Sequence, residues 1–220
     1  MKRREFTHRL GLAGFAGIAL AGHAGAARAQ NGAPVEGKDF ARLQTPAPVG
    51  TLPAGKKVEV IEFFWYGCSH CFRLEPLIEA WVKRLPPDVH FRQLPFAFIG
   101  PVEHQKLFYA LEELGQREAM QRKLFNAIHV ERKVLNTEAE ITKFVAANGV
   151  DGAKFTEAFK SFGVNTKLSR GKTLADAYKV DSVPTIGVQG RYFTSASLAG
   201  SHERALQVAD QLIVRARQPA

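Results

Sequence analysis

Cys68 and Cys71 are the only cysteines in a chain of 220 residues, and His70 stands between them in the stretch Phe63-Phe64-Trp65-Tyr66-Gly67-Cys68-Ser69-His70-Cys71. Thiols at C-x-x-C spacing suit three chemistries: a structural disulfide, half of a metal site, or a centre for thiol–disulfide exchange. As a staple the pair is poorly placed, because a bridge constrains the unfolded chain more when the loop it closes is long. As a metal module, Cys68, His70 and Cys71 offer three donors where structural zinc takes four, and no second closely spaced pair of cysteines or histidines exists. His90 and His104 are isolated in the sequence and are expected at the surface.

Exchange chemistry fits the pattern better. It needs a thiolate attacker and a good leaving sulfur. A cysteine at the start of a helix faces unpaired N–H groups and the positive end of the macrodipole, and both lower its pKa. Cys68 is expected there, with His70 as a further stabiliser of the anion, and Cys71, one turn on, as the inward resolving thiol. Whatever stabilises the Cys68 thiolate stabilises the reduced form and makes the disulfide a stronger oxidant.

The elements that must place these thiols can be read from periodicity. Val58 to Trp65 is a β-branched and aromatic run with the signature of a strand buried on both faces. Leu74, Leu77, Ile78, Trp81, Val82 and Leu85 then repeat at helical spacing, with Pro76 expected to kink the helix and Pro86-Pro87 to end it. Val89, Phe91 and Leu94 mark another strand, so the cysteines fall where strand hands over to helix in a βαβ unit. Residues 101–178 read as successive helices: a face of Leu107, Ala110, Leu111 and Leu114 stopped by Gly115, a second helix at Leu124, Phe125 and Ile128, a capping box at Thr137 and Glu140, and Asp151 capping an inward row of Phe155, Ala158, Phe159 and Phe162. Thr185–Val188, the turn Gln189-Gly190 and Arg191–Thr194 form a hairpin, and a last helix runs from about His202 to Arg217.

Glu62 is out of character with its apolar strand. Buried, it would carry a raised pKa and could exchange a proton with Cys71; at a sheet edge it would simply reach solvent. Val183-Pro184 enters the hairpin strand. A cis bond there would expose backbone groups to an extended peptide, and an ordinary trans turn is the alternative.

The start of the chain has the layout of a secretory signal peptide: Lys2, Arg3, Arg4 and Arg9, an apolar stretch from Leu10 to Ala21, and Ala27-Arg28-Ala29 as cleavage site. Residues 1–29 are therefore expected to be removed, lowering the net charge from +9 to +5. Arg3-Arg4-Glu5-Phe6 also resembles a twin-arginine signal, which leaves the Sec and twin-arginine routes both open. No Lys/Arg-rich run with interleaved aromatics points to nucleic acid.

Glu62-Phe63-Phe64, Cys68-x-His70-Cys71, the helical insertion and Val183-Pro184 together resemble the bacterial periplasmic disulfide oxidants of the DsbA type, within the thioredoxin superfamily. The resemblance spans residues 36–215. It implies an α/β thioredoxin-like fold, a central mixed sheet flanked by helices, formed by residues 30–100 and 179–220, with a helical subdomain inserted at 101–178. It implies Cys68 as nucleophile, Cys71 as resolving cysteine, His70 as thiolate stabiliser and Glu62 as the buried acid. Pro184 would be a cis-proline facing the disulfide, with Val183 beside it in the substrate groove.

The activity implied is that of a periplasmic thiol:disulfide oxidoreductase acting on reduced or unfolded exported proteins through a mixed disulfide at Cys68. A quinone-linked, DsbB-like membrane protein would reoxidise it, and no cofactor is implied beyond the Cys68–Cys71 disulfide. Ser69 departs from the proline of the most familiar members, which bears on the oxidising strength. A reductant or isomerase would share the motif, but dimeric isomerases carry a separate N-terminal dimerisation domain, and residues 31–57 are too few for one.

Overall fold

The computed structural model describes residues 32–96 and 100–218, and Ala33–Ala220 forms one compact unit. The expected signal peptide and its arginine pair lie outside the described residues. Five strands make one mixed sheet: β1 (Ala41–Arg42), β2 (Val58–Phe64), β3 (Val89–Pro95), β4 (Thr185–Val188) and β5 (Tyr192–Ser195), in the order β1-β5-β4-β2-β3. The β2–β3 pair is parallel and the remaining pairs are antiparallel.

Every residue of β2 is buried, Glu59 and Glu62 included, as expected of a largely apolar central strand covered on both faces. Side chains alternate across it. Val58 and Val60 face a core shared with α1 (Ser69–Val82) and α8 (His202–Ala216), through Leu74, Ile78, Trp81, Leu206, Leu212 and Ile213. Ile61 and Phe63 face the other way, onto Leu94, Ala175 and Tyr178. Glu62 shares its parity with Val60 and so lies under α1. Pro76 sits inside α1 without ending it.

Between β3 and β4 run α2 (Glu103–Glu113), α3 (Arg117–His129), α4 (Glu138–Ala147), α5 (Gly152–Lys160) and α6 (Phe162–Ala177). Their apolar faces pool with Phe64, Tyr66 and Cys71 in a second core. The capping box at Thr137 forms, Asp151 accepts from the N–H groups of Ala153 and Lys154, and such caps contribute ~1 kcal/mol each. One expectation fails here. Phe162 does not extend the inward row of α5, because Ser161 ends that helix and caps the next, leaving Phe162 87 % exposed. The short helix α7 (Ala196–Ala199) precedes α8.

The hairpin turn falls on Gln189 and Gly190, both with positive φ, as a two-residue turn matched to strand twist demands. A Cβ on Gly190 would meet the Ala47 carbonyl at 2.2 Å, so only glycine fits. Among the described residues no helix is long and apolar enough to cross a membrane.

Candidate active site

Cys68 is the N-cap of α1, delivered there by a turn in which its N–H donates to the Trp65 carbonyl at 3.0 Å. The sulfur makes no complete capping bond, yet the N–H groups of His70 and Cys71 face it. Its pKa is lowered to about 6, first by hydrogen bonding from the Cys71 thiol, then by those two amides and the His70 ring, against the cost of burial. Cys71, with no exposure, is pushed well above the ordinary thiol range by burial, by its bond to Cys68 and by the charges of Glu62 and Cys68. One turn of helix thus separates an acidic, half-buried sulfur from a basic, fully buried one.

The other expected residues gather around this pair. The Val183–Pro184 peptide is cis, and the Val183 carbonyl accepts from the Cys68 thiol at 3.3 Å. Parallel strands and an intervening α1 bring Glu62 beneath the thiols with no exposure, so it does not escape at an edge. Burial pushes its pKa up to about 8, helped by the charges of Glu75 and Cys68 and opposed by a hydrogen bond from Gln93 at 2.8 Å. Its second oxygen, Oε1, has no protein partner. His70 is exposed and accepts at Nδ1 from Arg73 at 2.9 Å, with His202 6.0 Å away between ring centroids.

Several neighbours went unread in the sequence. Glu75 is 5 % exposed, is held near 7 chiefly by burial, and shares the Gln93 amide nitrogen with Glu62. Its signal was available: four residues after Cys71 is the same helix face. Gln93 is opposite Glu62 only through the β2–β3 register, and Arg117 of α3 fixes its oxygen at 2.9 Å. His104 corrects an expectation outright. It is 3 % exposed, because it hydrogen-bonds both Trp65 and the Leu135 carbonyl. The large cleft of about 620 Å³ lies away from the thiols, lined among others by Arg92, Tyr109 and Arg170. Among the described residues, no cluster of three or more His, Cys, Asp or Glu could hold a metal ion.

Residues 102–207 match the family described as DSBA-like thioredoxin domain. The thiol:disulfide interchange protein DsbA of Burkholderia cepacia is 44 % identical over 191 residues, covering 86 % of this chain and 89 % of that protein. This chain belongs to the DsbA family. The DsbA of Bordetella parapertussis matches at 40 % over 220 residues, 99 % of this chain and all of the relative. The crystal structure of Pseudomonas aeruginosa DsbA superposes with a TM-score of 0.78 at 41 % identity, covering 84 % of this chain and 95 % of that one. The thioredoxin-like fold and the enzyme class follow: a DsbA-type thiol:disulfide oxidoreductase.

A DsbA site with a depressed Cys68 pKa links redox state to stability. A depressed folded value stabilises the reduced fold fully above the ordinary thiol range, and that gain is lost as pH falls through about 6. At pH 7 the gain is ~1 kcal/mol once screening of the half-exposed sulfur is allowed for. The stability of the reduced form relative to the oxidised one is therefore expected to fall by a few degrees of melting temperature between pH 7.5 and pH 5. Melting curves of both redox forms at the two pH values check it; a pH-independent difference sinks it.

Proposed function

We propose that the chain donates its Cys68–Cys71 disulfide to reduced exported proteins in the periplasm, where the leader at residues 1–29 delivers it by the Sec or the twin-arginine route. A substrate thiolate attacks Cys68 Sγ. The Cys68–Cys71 bond breaks, a mixed disulfide forms, and Cys71 leaves with the electron pair. Because Cys71 is a poor leaving group, it takes a proton as it departs, and Glu62, still protonated at neutral pH, is the donor beneath it. A second substrate thiolate then attacks the substrate sulfur and expels Cys68 as the thiolate, the easier departure of the two. Two electrons have moved from the substrate dithiol to the enzyme.

The opposite pKa shifts of Cys68 and Cys71 carry this reading. His70 supports the Cys68 anion, while Val183 and Pro184 offer backbone beside the sulfur for an extended substrate. The reduced pair returns its electrons to a DsbB-like, quinone-linked membrane protein.

The test uses oxidised enzyme and a reduced two-cysteine peptide. The peptide should lose two thiols per enzyme reduced, and Cys71→Ser, given a peptide disulfide, should accumulate a covalent adduct visible by mass spectrometry. Equilibration with glutathione should leave the dithiol favoured. Failure to transfer, or a disulfide favoured over the dithiol, overturns the oxidant assignment.

A further inference from the structure

His104 lies in the first turn of α2, reached from β3, and both of its ring nitrogens are engaged. Nδ1 accepts from the Trp65 indole N–H at 2.9 Å, and Nε2 meets the Leu135 carbonyl at 2.9 Å. An indole N–H only donates and a carbonyl only accepts, so Nδ1 is bare and Nε2 carries the proton. The ring is held neutral in one tautomer. Burial works in the same direction, lowering its pKa against weaker pulls from the Leu135 carbonyl and the Glu103 charge.

What His104 holds is the turn that presents Cys68. A Cβ added at Gly67 would fall 2.4 Å from the Trp65 indole, and one at Gly100 would fall 2.3 Å from it. The indole therefore lies directly against both backbones, and Gly67 belongs to the turn closed by Cys68 N–H on Trp65 O. A second histidine grips the next residue. His129, at the end of α3, donates from Nε2 to the Tyr66 carbonyl at 2.7 Å and stacks on Phe72 with centroids 4.9 Å apart. Both histidines come from the helices between β3 and β4. The insertion thus reaches over the redox turn at two consecutive residues.

We propose that His104 is a positioning residue for thiol exchange: by fixing the Trp65 indole against Gly67, it holds Cys68 where the amides of His70 and Cys71 reach the sulfur. This deepens the functional reading above and rests on Cys68 being the exchanging thiol. Amide–sulfur contacts depend on sub-ångström placement, and small displacements at a reacting atom are costly in rate. His104 touches neither sulfur nor substrate, so its effect travels through Trp65 and the turn.

Three full-length variants test it: Trp65→Phe removes the donor and keeps an aromatic ring, His104→Leu removes the acceptor, and His104→Gln restores an acceptor and a donor at similar separation. The readouts are the Cys68 thiolate titration by ultraviolet absorbance and the rate of peptide oxidation, with circular dichroism and thermal melting to confirm folding. Trp65→Phe and His104→Leu should raise the titration midpoint by ~0.5–1 unit, a three- to tenfold loss of thiolate below the midpoint, and slow oxidation by ~3–10-fold. His104→Gln should recover most of both.

If His104→Leu does not fold, Trp65→Phe decides the matter alone. Folded Trp65→Phe with an unchanged Cys68 midpoint overturns the proposal, as does folded His104→Gln behaving like His104→Leu. A parent protein that titrates as expected yet oxidises no peptide would overturn the functional reading instead and leave the titration comparison standing.

Discussion

Cys68→Ser is expected to abolish peptide oxidation, with residual turnover at least ~10³-fold below the parent. A serine hydroxyl can neither form the bridge with Cys71 nor carry the mixed disulfide, and the chain holds no other cysteine to replace it. The fold should survive, because Cys68 is only half-buried and serine is a favoured N-cap, able to bond the same amides that now face sulfur. The variant thus separates chemistry from stability. In the parent, the ultraviolet thiolate band should grow in with a midpoint near 6 and vanish in Cys68→Ser, since burial holds Cys71 protonated. A parent midpoint in the ordinary cysteine range would remove the physical basis for a strong oxidant.

Glu62→Gln should move stability and rate in opposite directions. A raised folded pKa favours the fold fully only below the unfolded value of 4.5; that advantage is lost as pH rises through about 8. Across that window the unfolded acid ionises while the buried one cannot, so the native protein weakens. Glutamine has the same shape, keeps one contact to Gln93 and has no charge to bury. It should stabilise the protein by ~2–3 kcal/mol at pH 8 and by much less near pH 4.5. The same change removes the proposed proton donor beneath Cys71, and exchange should slow by ~10²-fold at neutral pH. Urea unfolding at the two pH values, with stopped-flow peptide oxidation, reads both effects. A variant with unaltered rate would leave Glu62 as a buried acid without a part in the chemistry.

The shared Gln93 amide explains why Glu62 cannot be treated alone. Gln93 Nε2 faces both carboxylates, and its oxygen is held by Arg117 at 2.9 Å and by Gln121 at 3.4 Å. The amide is thereby fixed with its donors toward the acids. A negative charge on Glu75 beside it is unfavourable in so dry a place and helps keep the Glu62 pKa raised, while Glu75 itself is pushed up by burial and by the charge of Glu79.

Sequence alone determined what is local or periodic. Cys68-Ser69-His70-Cys71 after an apolar run and before a 3.6-residue repeat already places two thiols at a strand-to-helix junction, because backbone geometry there depends on neighbours a few residues away. Glu62 stood out for the same reason, as a charge inside a strand too apolar for it. Tertiary structure decided everything that depends on which element packs on which. Gln93 meets Glu62 through parallel register, Val183 reaches Cys68 across 115 positions, and His104 is buried because Trp65 and Leu135 supply its two hydrogen bonds. A lone histidine or glutamine carries no mark of such a partner, since its burial becomes favourable only when distant chain supplies the donor and acceptor it would otherwise take from water.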